Sequence, residues 1–413
     1  MGGGLLQLVA YGAQDIYLTG NPQVTFFKVV YRRHTNFAIE ARKQTIKGDV
    51  GPGNVVNSVI DRSGDLIGRM YLEFQVHGSA GEQFSANPGS AIIDKVELQI
   101  GGQTIDTHYG HWLEVWAELN EDNETGRLGV MKANGILRDG TTFQNMSFMG
   151  GVHATNSDFG STPKDSLKFD VPLAFWFCRN IGSALPIMAL QYHEVKLWIT
   201  FGTEYMGLAG PPIVTQNTRG FDCELWADYV YLDTDERRRF AQVSHEYLIE
   251  QLQFIKSDTS KKVHELTFKH PVKELIFTGG VTEAFGGTGT TGPSTPKTLL
   301  TDPEQQTVKL ELNGQDRFEA RHIRYFTRTQ VWEHHRQGVG GINISDQFET
   351  LDSIGIYSFA LRPEEHQPSG TCNFSRIKKA NLVLGVAGAL YIYAVNYNVL
   401  RIMSGMGGVA YVN

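Results

Sequence analysis

The sequence predicts an all-β protein made of two antiparallel β-sandwiches in tandem, with only a few short helices. Three observations carry this reading. Apolar and polar residues alternate with period two along much of the chain. Turn formers are abundant, glycine alone supplying 45 of 413 residues. Two strand-like motifs also recur about 210 residues apart.

The alternation is clearest in four runs. Met70, Leu72, Phe74 and Val76 alternate with Arg69, Tyr71, Glu73 and Gln75. Val96, Leu98 and Ile100 alternate with Lys95, Glu97 and Gln99. Val195, Leu197, Ile199 and Phe201 alternate with Lys196, Trp198 and Thr200. Val308, Leu310 and Leu312 alternate with Lys309, Glu311 and Asn313. Successive side chains on a strand point to opposite faces, so each run offers one face to a core and one to water. Such one-sided burial belongs to antiparallel sheets packed as sandwiches. Leu266–Lys269 also reads as a strand.

Helical spacing is rare. In His111–Asn120, Trp112, Val115, Trp116 and Leu119 fall at i, i+3, i+4 and i+7, which predicts one short amphipathic helix. A second helix is predicted after Asp233, with Asp235 and Glu236 leading and Arg237, Arg238 and Arg239 closing, the order the helix dipole favours. Its place mid-chain makes residues 234–244 a connector. Stretches rich in Gly, Pro, Ser and Thr predict loops at 78–89, 121–140, 150–164, 207–220 and, longest, 278–298. Loops of such length usually form functional surfaces.

The repeat sets the domain plan. Val96-Glu97-Leu98-Gln99-Ile100-Gly101-Gly102-Gln103 is matched by Val308-Lys309-Leu310-Glu311-Leu312-Asn313-Gly314-Gln315. Upstream, Asp65-Leu66-Ile67 is matched by Glu274-Leu275-Ile276. Two copies of one unit follow: residues 25–233 and 245–413, after an N-terminal arm at 1–24. The arm has polar breaks and no repeating pattern, so it should gain order only from neighbours.

Composition narrows the function. There are 37 basic against 44 acidic residues, a net charge of −7. Nucleic-acid binding needs the opposite surplus, so none is expected. The basic runs Tyr31-Arg32-Arg33-His34 and Arg237-Arg238-Arg239 are short. Three cysteines, Cys178, Cys223 and Cys372, make no disulfide framework and suit a reducing compartment. No apolar run reaches the ~18 residues of a membrane span. Met1–Leu6 lacks the charged and apolar regions of a signal peptide, and Leu6 departs from the myristoylation pattern.

Chemistry-bearing motifs do not emerge. The glycine runs lack the Lys-Ser/Thr of a phosphate loop, and there is no Gly-x-Ser-x-Gly elbow. His264, Glu265 and His270 miss metal-ligand spacing and read as surface. His334 and His335 sit in a charged stretch and read as solvated. His193-Glu194 has no nucleophile nearby in sequence. No catalytic, cofactor-binding or metal-binding residue is assigned, and the chain reads as a non-enzyme. Asn123, Asn145, Asn343 and Asn373 head Asn-x-Ser/Thr triplets, so they are candidate glycosylation sites.

Long strings resemble the major capsid proteins of large double-stranded DNA viruses of eukaryotes, those of chlorella-infecting phycodnaviruses in particular. They run from Leu8 through Tyr11, Asp15, Gly20-Asn21-Pro22 and Phe26-Phe27-Lys28 to Tyr31-Arg32-Arg33 and Asn36-Phe37. Mid-chain they include Leu185-Pro186, Gln191–Leu197, Leu232-Asp233-Thr234, Arg239-Phe240-Ala241 and His245–Leu252. Towards the end come Leu312–Phe318, Pro368–Ser375, Asn396–Leu400 and Met406-Gly407-Gly408. The chain departs from the family after Asn120, after Phe277 and at Gly385–Leu390, which read as outer loops.

The resemblance implies a double jelly roll, two eight-stranded antiparallel sandwiches in tandem. It also implies a homotrimer that forms a pseudo-hexagonal capsomer and tiles an icosahedral shell. Minor capsid proteins and an internal viral membrane would lie near the N-terminal arm. The location is the virion, after assembly in the host cytoplasm. A carbohydrate-binding, lectin-like jelly roll is the alternative, with Trp198 as its outward aromatic; a minor capsid paralogue is another.

Overall fold

The computed structural model describes residues 3–77, 82–84, 88–121, 142–149, 167–203, 206–208, 220–279, 306–336 and 353–412. Residues Met1–Asn36 form one unit, with helices Gly3–Val9 and Ile16–Thr19 and, among its described residues, no buried side chain. Phe37–Asn413 form the other.

Within the larger unit, the first half is a two-sheet sandwich. One sheet orders the strands Phe37–Gln44, Phe221–Leu232, Leu66–Val76 and Leu167–Pro172. The other orders Ile46–Lys47, Val55–Val59, Val195–Phe201, Ile93–Ile100 and Gln103–Tyr109. All the pairings are antiparallel. The predicted alternation is realised: Leu72, Phe74 and Val76 are fully buried, and so are Val96, Leu98, Ile100, Leu197 and Ile199 across the sandwich. Phe74 lies 5.5 Å from Phe169, 6.2 Å from Phe201 and 5.7 Å from Phe221 between ring centroids. Each such side chain contributes about 1.5–3 kcal/mol by leaving water.

The second half closes differently. Two long strands, His245–Glu265 and Ala380–Met403, pair along most of their length. The start of Ala380–Met403 takes Thr307–Leu312 as partner, and its middle takes Pro271–Gly279, which in turn pairs with Ile354–Ser358. One strand therefore serves both walls, and nine strands form a single continuous sheet. Register shifts between Ser257 and Val263 mark where the pairing turns from one wall to the other. Gly385–Leu390, read as an outer loop from the sequence, lies inside this strand. The predicted strand at Leu266–Lys269 forms no ladder. Leu266 and Phe268 are still buried in alternation, but the segment is irregular, held by the Leu266 N–H to the Ala380 carbonyl and by the Gln253 side chain on the Lys269 N–H and carbonyl.

The sequence repeat marks equivalent hairpins. Ile100 pairs with Gln103 across Gly101-Gly102, and Leu312 pairs with Gln315 across Asn313-Gly314. Both central residues are left-handed in each turn, with φ of 60° and 83° in the first and 54° and 80° in the second. Tight hairpin turns need that geometry, which glycine and asparagine adopt at least cost.

Both predicted helices form, as Gly110–Asn120 and Thr234–Gln242. Asp233 caps the second by accepting the Thr234 N–H at 2.8 Å. The remaining helical segments of the larger unit are short.

Candidate functional site

The two halves meet along the Gly110–Asn120 helix. Trp112, Val115 and Leu119 of the first half pack against Ile276, Ile354, Ile356, Tyr393 and Val395 of the second. Aromatic rings interlock there: Trp112 with Tyr393 at 5.1 Å, Tyr109 with Phe254 at 4.8 Å, and Phe254 with Tyr393 at 4.8 Å. This seam explains why Pro271–Gly279 has almost no exposed face. Leu275 and Phe277 enter the core of the second half, whereas Ile276 enters the seam. A strand covered on both faces reads as a continuous apolar run rather than an alternation.

Charged groups are buried along the same seam, in two clusters. In the first, Glu250 pairs with Arg179 and with Lys273, each at 2.8 Å. Lys273 also donates to the Pro363 carbonyl at 2.6 Å, and the Arg179 guanidinium stacks 4.6 Å from the Trp116 ring. Burial alone would raise the Glu250 pKa, but the two cations outweigh it and hold the carboxyl at about 2. Lys273 is the extra residue of a β-bulge, lying between Val272, paired with Asn396, and Glu274, paired with Val395.

Glu274 starts the second cluster. Its Oε2 lies 3.0 Å from His335 Nε2. The other ring nitrogen, Nδ1, lies 3.1 Å from Glu364 Oε1 and 3.1 Å from Asn120 Oδ1, at the end of the first-half helix. Burial would depress the imidazole, but Glu274 and Glu364 override it and raise its pKa to about 9. Glu274 is held below the ordinary carboxylate range against its own burial, chiefly by His335.

Further contacts cross the seam. His111 Nδ1 is 2.8 Å from the Tyr393 hydroxyl. Asp106 Oδ1 accepts the Leu252 N–H at 3.0 Å. His193 Nδ1 lies 2.9 Å from the Gly407 carbonyl. Between the halves a cavity of about 760 Å³ is lined by Tyr71, Trp116 and Arg179 on one side and Glu250, Glu364 and Tyr397 on the other.

The histidines correct their sequence readings. His335 is not solvated, because two carboxylates and an asparagine enclose it. His334 beside it is half-buried, with Nδ1 3.2 Å from the Leu361 carbonyl. His264 and His270 are not surface residues: both are buried, His264 against the Ser257 hydroxyl at 2.9 Å. His193 is half-buried against backbone, not poised beside a nucleophile. Cys178, buried, has its thiol pushed up to about 12, so it stays protonated.

Of the glycosylation candidates, Asn123 and Asn343 lie outside the described residues, together with most of the predicted long loops. Asn145 falls in the short helix Thr142–Ser147. Asn373 is exposed, and its Oδ1 accepts the Ser375 N–H at 3.0 Å. Trp198 is half-buried and donates to Gln99 at 3.0 Å. Among the described residues of the larger unit, large apolar side chains face water, led by Trp332 at 82%, Leu361 at 77% and Tyr192 at 75% exposure.

Comparison with known proteins covers the whole chain. Residues 25–233 match the family described as major capsid protein N-terminus, and residues 236–408 match the large eukaryotic DNA virus major capsid protein family. The chain is 46% identical to a major capsid protein of Pyramimonas orientalis virus, over 100% of both chains. It is 40% identical to one of Paramecium bursaria Chlorella virus 1, again over 100% of both. The crystal structure of the PBCV-1 protein VP54 superposes with a TM-score of 0.74 at 36% identity, covering 94% of this chain and 100% of that one.

Proposed function

This chain belongs to the family of large eukaryotic DNA virus major capsid proteins, and from that premise we propose that three copies close into one capsomer. The chain is a structural protein of the virus shell, a double jelly roll and not an enzyme. In the trimer, two rolls per chain give six around the ring, so the unit is pseudo-hexagonal and tiles a flat facet. A head-to-tail contact used three times closes without leaving a free face.

The observation that carries this reading is the seam. Buried ion pairs and interlocked rings join the two rolls, so each chain presents two neighbouring hexagon vertices as one rigid block. Exposed Tyr192, Trp332 and Leu361 offer apolar area for contacts between chains.

The domain plan of this reading is an arm at 1–24, rolls at 25–233 and 245–413, and a connector at 234–244. The arm would meet minor capsid proteins and the internal membrane once the shell is built in the host cytoplasm. Asn123, Asn145, Asn343 and Asn373 remain the candidate glycan acceptors, and Asn373 is exposed in its Asn-x-Ser triplet.

Native mass spectrometry tests the capsomer. A stable species at three times 46.0 kDa is the expected result. A monomer at all concentrations would contradict it.

A further inference from the structure

We propose that His335 is an alkali-sensitive latch: a buried imidazolium that ties the Gly110–Asn120 helix of the first roll to the second roll, and whose deprotonation loosens the seam.

The geometry requires the charge. Both ring nitrogens of His335 lie against acceptors, Nε2 at 3.0 Å from Glu274 Oε2 and Nδ1 at 3.1 Å from Glu364 Oε1 and from Asn120 Oδ1. Ionised carboxylates only accept hydrogen bonds, so both nitrogens must carry protons. A neutral imidazole would donate on one side and set a lone pair against a carboxylate oxygen on the other. The side chain is 0% exposed, so no bulk water can take the place of the lost bond.

Glu274 makes the latch sensitive. Its side chain is 1% exposed, and its Oε1 finds no hydrogen-bond partner among the described residues. His335 is thus its hydrogen-bonding partner on the other oxygen. Removing the imidazolium proton leaves a buried carboxylate without a compensating charge in contact, a costly state.

The charged surroundings are mixed. Arg336 faces Glu364 at 3.4 Å. Lys273 lies beside Glu274 in sequence but spends its ammonium on Glu250 and the Pro363 carbonyl. Arg179 is likewise committed to Glu250, and the Tyr397 ring lies 5.8 Å from the Lys273 ammonium. Neither cation is in ion-pair contact with Glu274. The first roll's own contribution is the Asn120 amide: its Nδ2 donates to the Trp116 carbonyl of its own helix at 3.3 Å, and its Oδ1 meets the second roll at the imidazolium Nδ1, so the proton couples the rolls and does more than balance charge within one of them. The raised pKa of the ring, about 9, places its release at mildly alkaline pH.

The test uses the full chain with ¹³C-labelled histidine rings, followed by NMR from pH 5 to pH 10. The His335 signal is identified by its loss in His335→Gln. It should remain that of an imidazolium at pH 7.5, where ordinary histidines are neutral; a ring titrating near 6.5 would overturn the proposal. The denaturation midpoint of the wild type should also fall between pH 7 and 9, and fall much less in His335→Gln. Equal pH dependence in both would count against the latch. Should His335→Gln fail to fold, Glu364→Gln keeps the question open to measurement. It should lower the ring's midpoint by about one pH unit, and an unmoved midpoint would refute the two-carboxylate geometry.

Discussion

The two ends of the Gly110–Asn120 helix are fastened to the second roll through histidines in opposite charge states. At the start, His111 meets the Tyr393 hydroxyl, and its Nε2 finds no partner among the described residues. Burial depresses its pKa to about 3, so the ring is neutral. At the other end, His335 is equally buried yet charged, because two carboxylates reach its nitrogens. Burial penalises the charge in both places. What differs is the company, and two carboxylates within hydrogen-bond distance outweigh the loss of water.

The two ends therefore respond to opposite changes of pH. His335 binds its proton more tightly folded than unfolded, so its contribution is whole below about 6.5 and is lost as pH rises through about 9. His111 binds its proton less tightly folded than unfolded. Its contribution is whole above about 6.5 and declines as pH falls towards 3. Glu250, held at about 2, adds stability that is present above its unfolded value and lost as acid approaches 2. The seam should be firmest around pH 6.5 to 7.

Substitutions sharpen the contrast between charged and neutral contacts. Glu250→Leu should do the most damage, because it strands Arg179 and Lys273 at the seam. Losing one partner of a buried pair costs about 3–5 kcal/mol, measurable as a lower urea midpoint. The neutral contact should matter less. His111→Phe leaves the Tyr393 hydroxyl buried and unpaired, at about 1–3 kcal/mol. Adding Tyr393→Phe should recover part of that loss, whereas independent losses would mean that the two groups are not partners. Arg401→Ala removes a pair with Glu246 of 2.8 Å whose side chains are 54% and 61% exposed. Its effect should stay below about 1 kcal/mol.

The parts of this architecture that depend on local pattern could be read from the sequence. Met70 to Val76 and Val195 to Phe201 alternate because each has one buried face, and the Trp112–Leu119 spacing follows from a helix with one covered side. The repeated Ile-Gly-Gly-Gln and Leu-Asn-Gly-Gln motifs were legible as a repeat because turn geometry selects its residues locally, and the structure shows that each closes a hairpin. The seam was not legible. His335 reaches Glu274 across 61 positions and Asn120 across 215. Nothing near His335 in sequence signals such partners, and its charged neighbours Glu333 and Arg336 suggested a solvated stretch. Pro271–Gly279 lost its alternation for the same reason: its second face is covered by a helix that lies far back in the chain.

Native-state hydrogen exchange tests most directly whether the seam makes two rolls into one body. At pH 7, slow amides in Leu66–Val76 of the first roll and in the Tyr391–Leu400 stretch of the second should exchange through one shared opening. Their free energies should agree within about 1 kcal/mol and fall together in Glu250→Leu. If one roll opened several kcal/mol more easily than the other, and Glu250→Leu changed only the second, the rolls would be independent domains and the seam would not couple them.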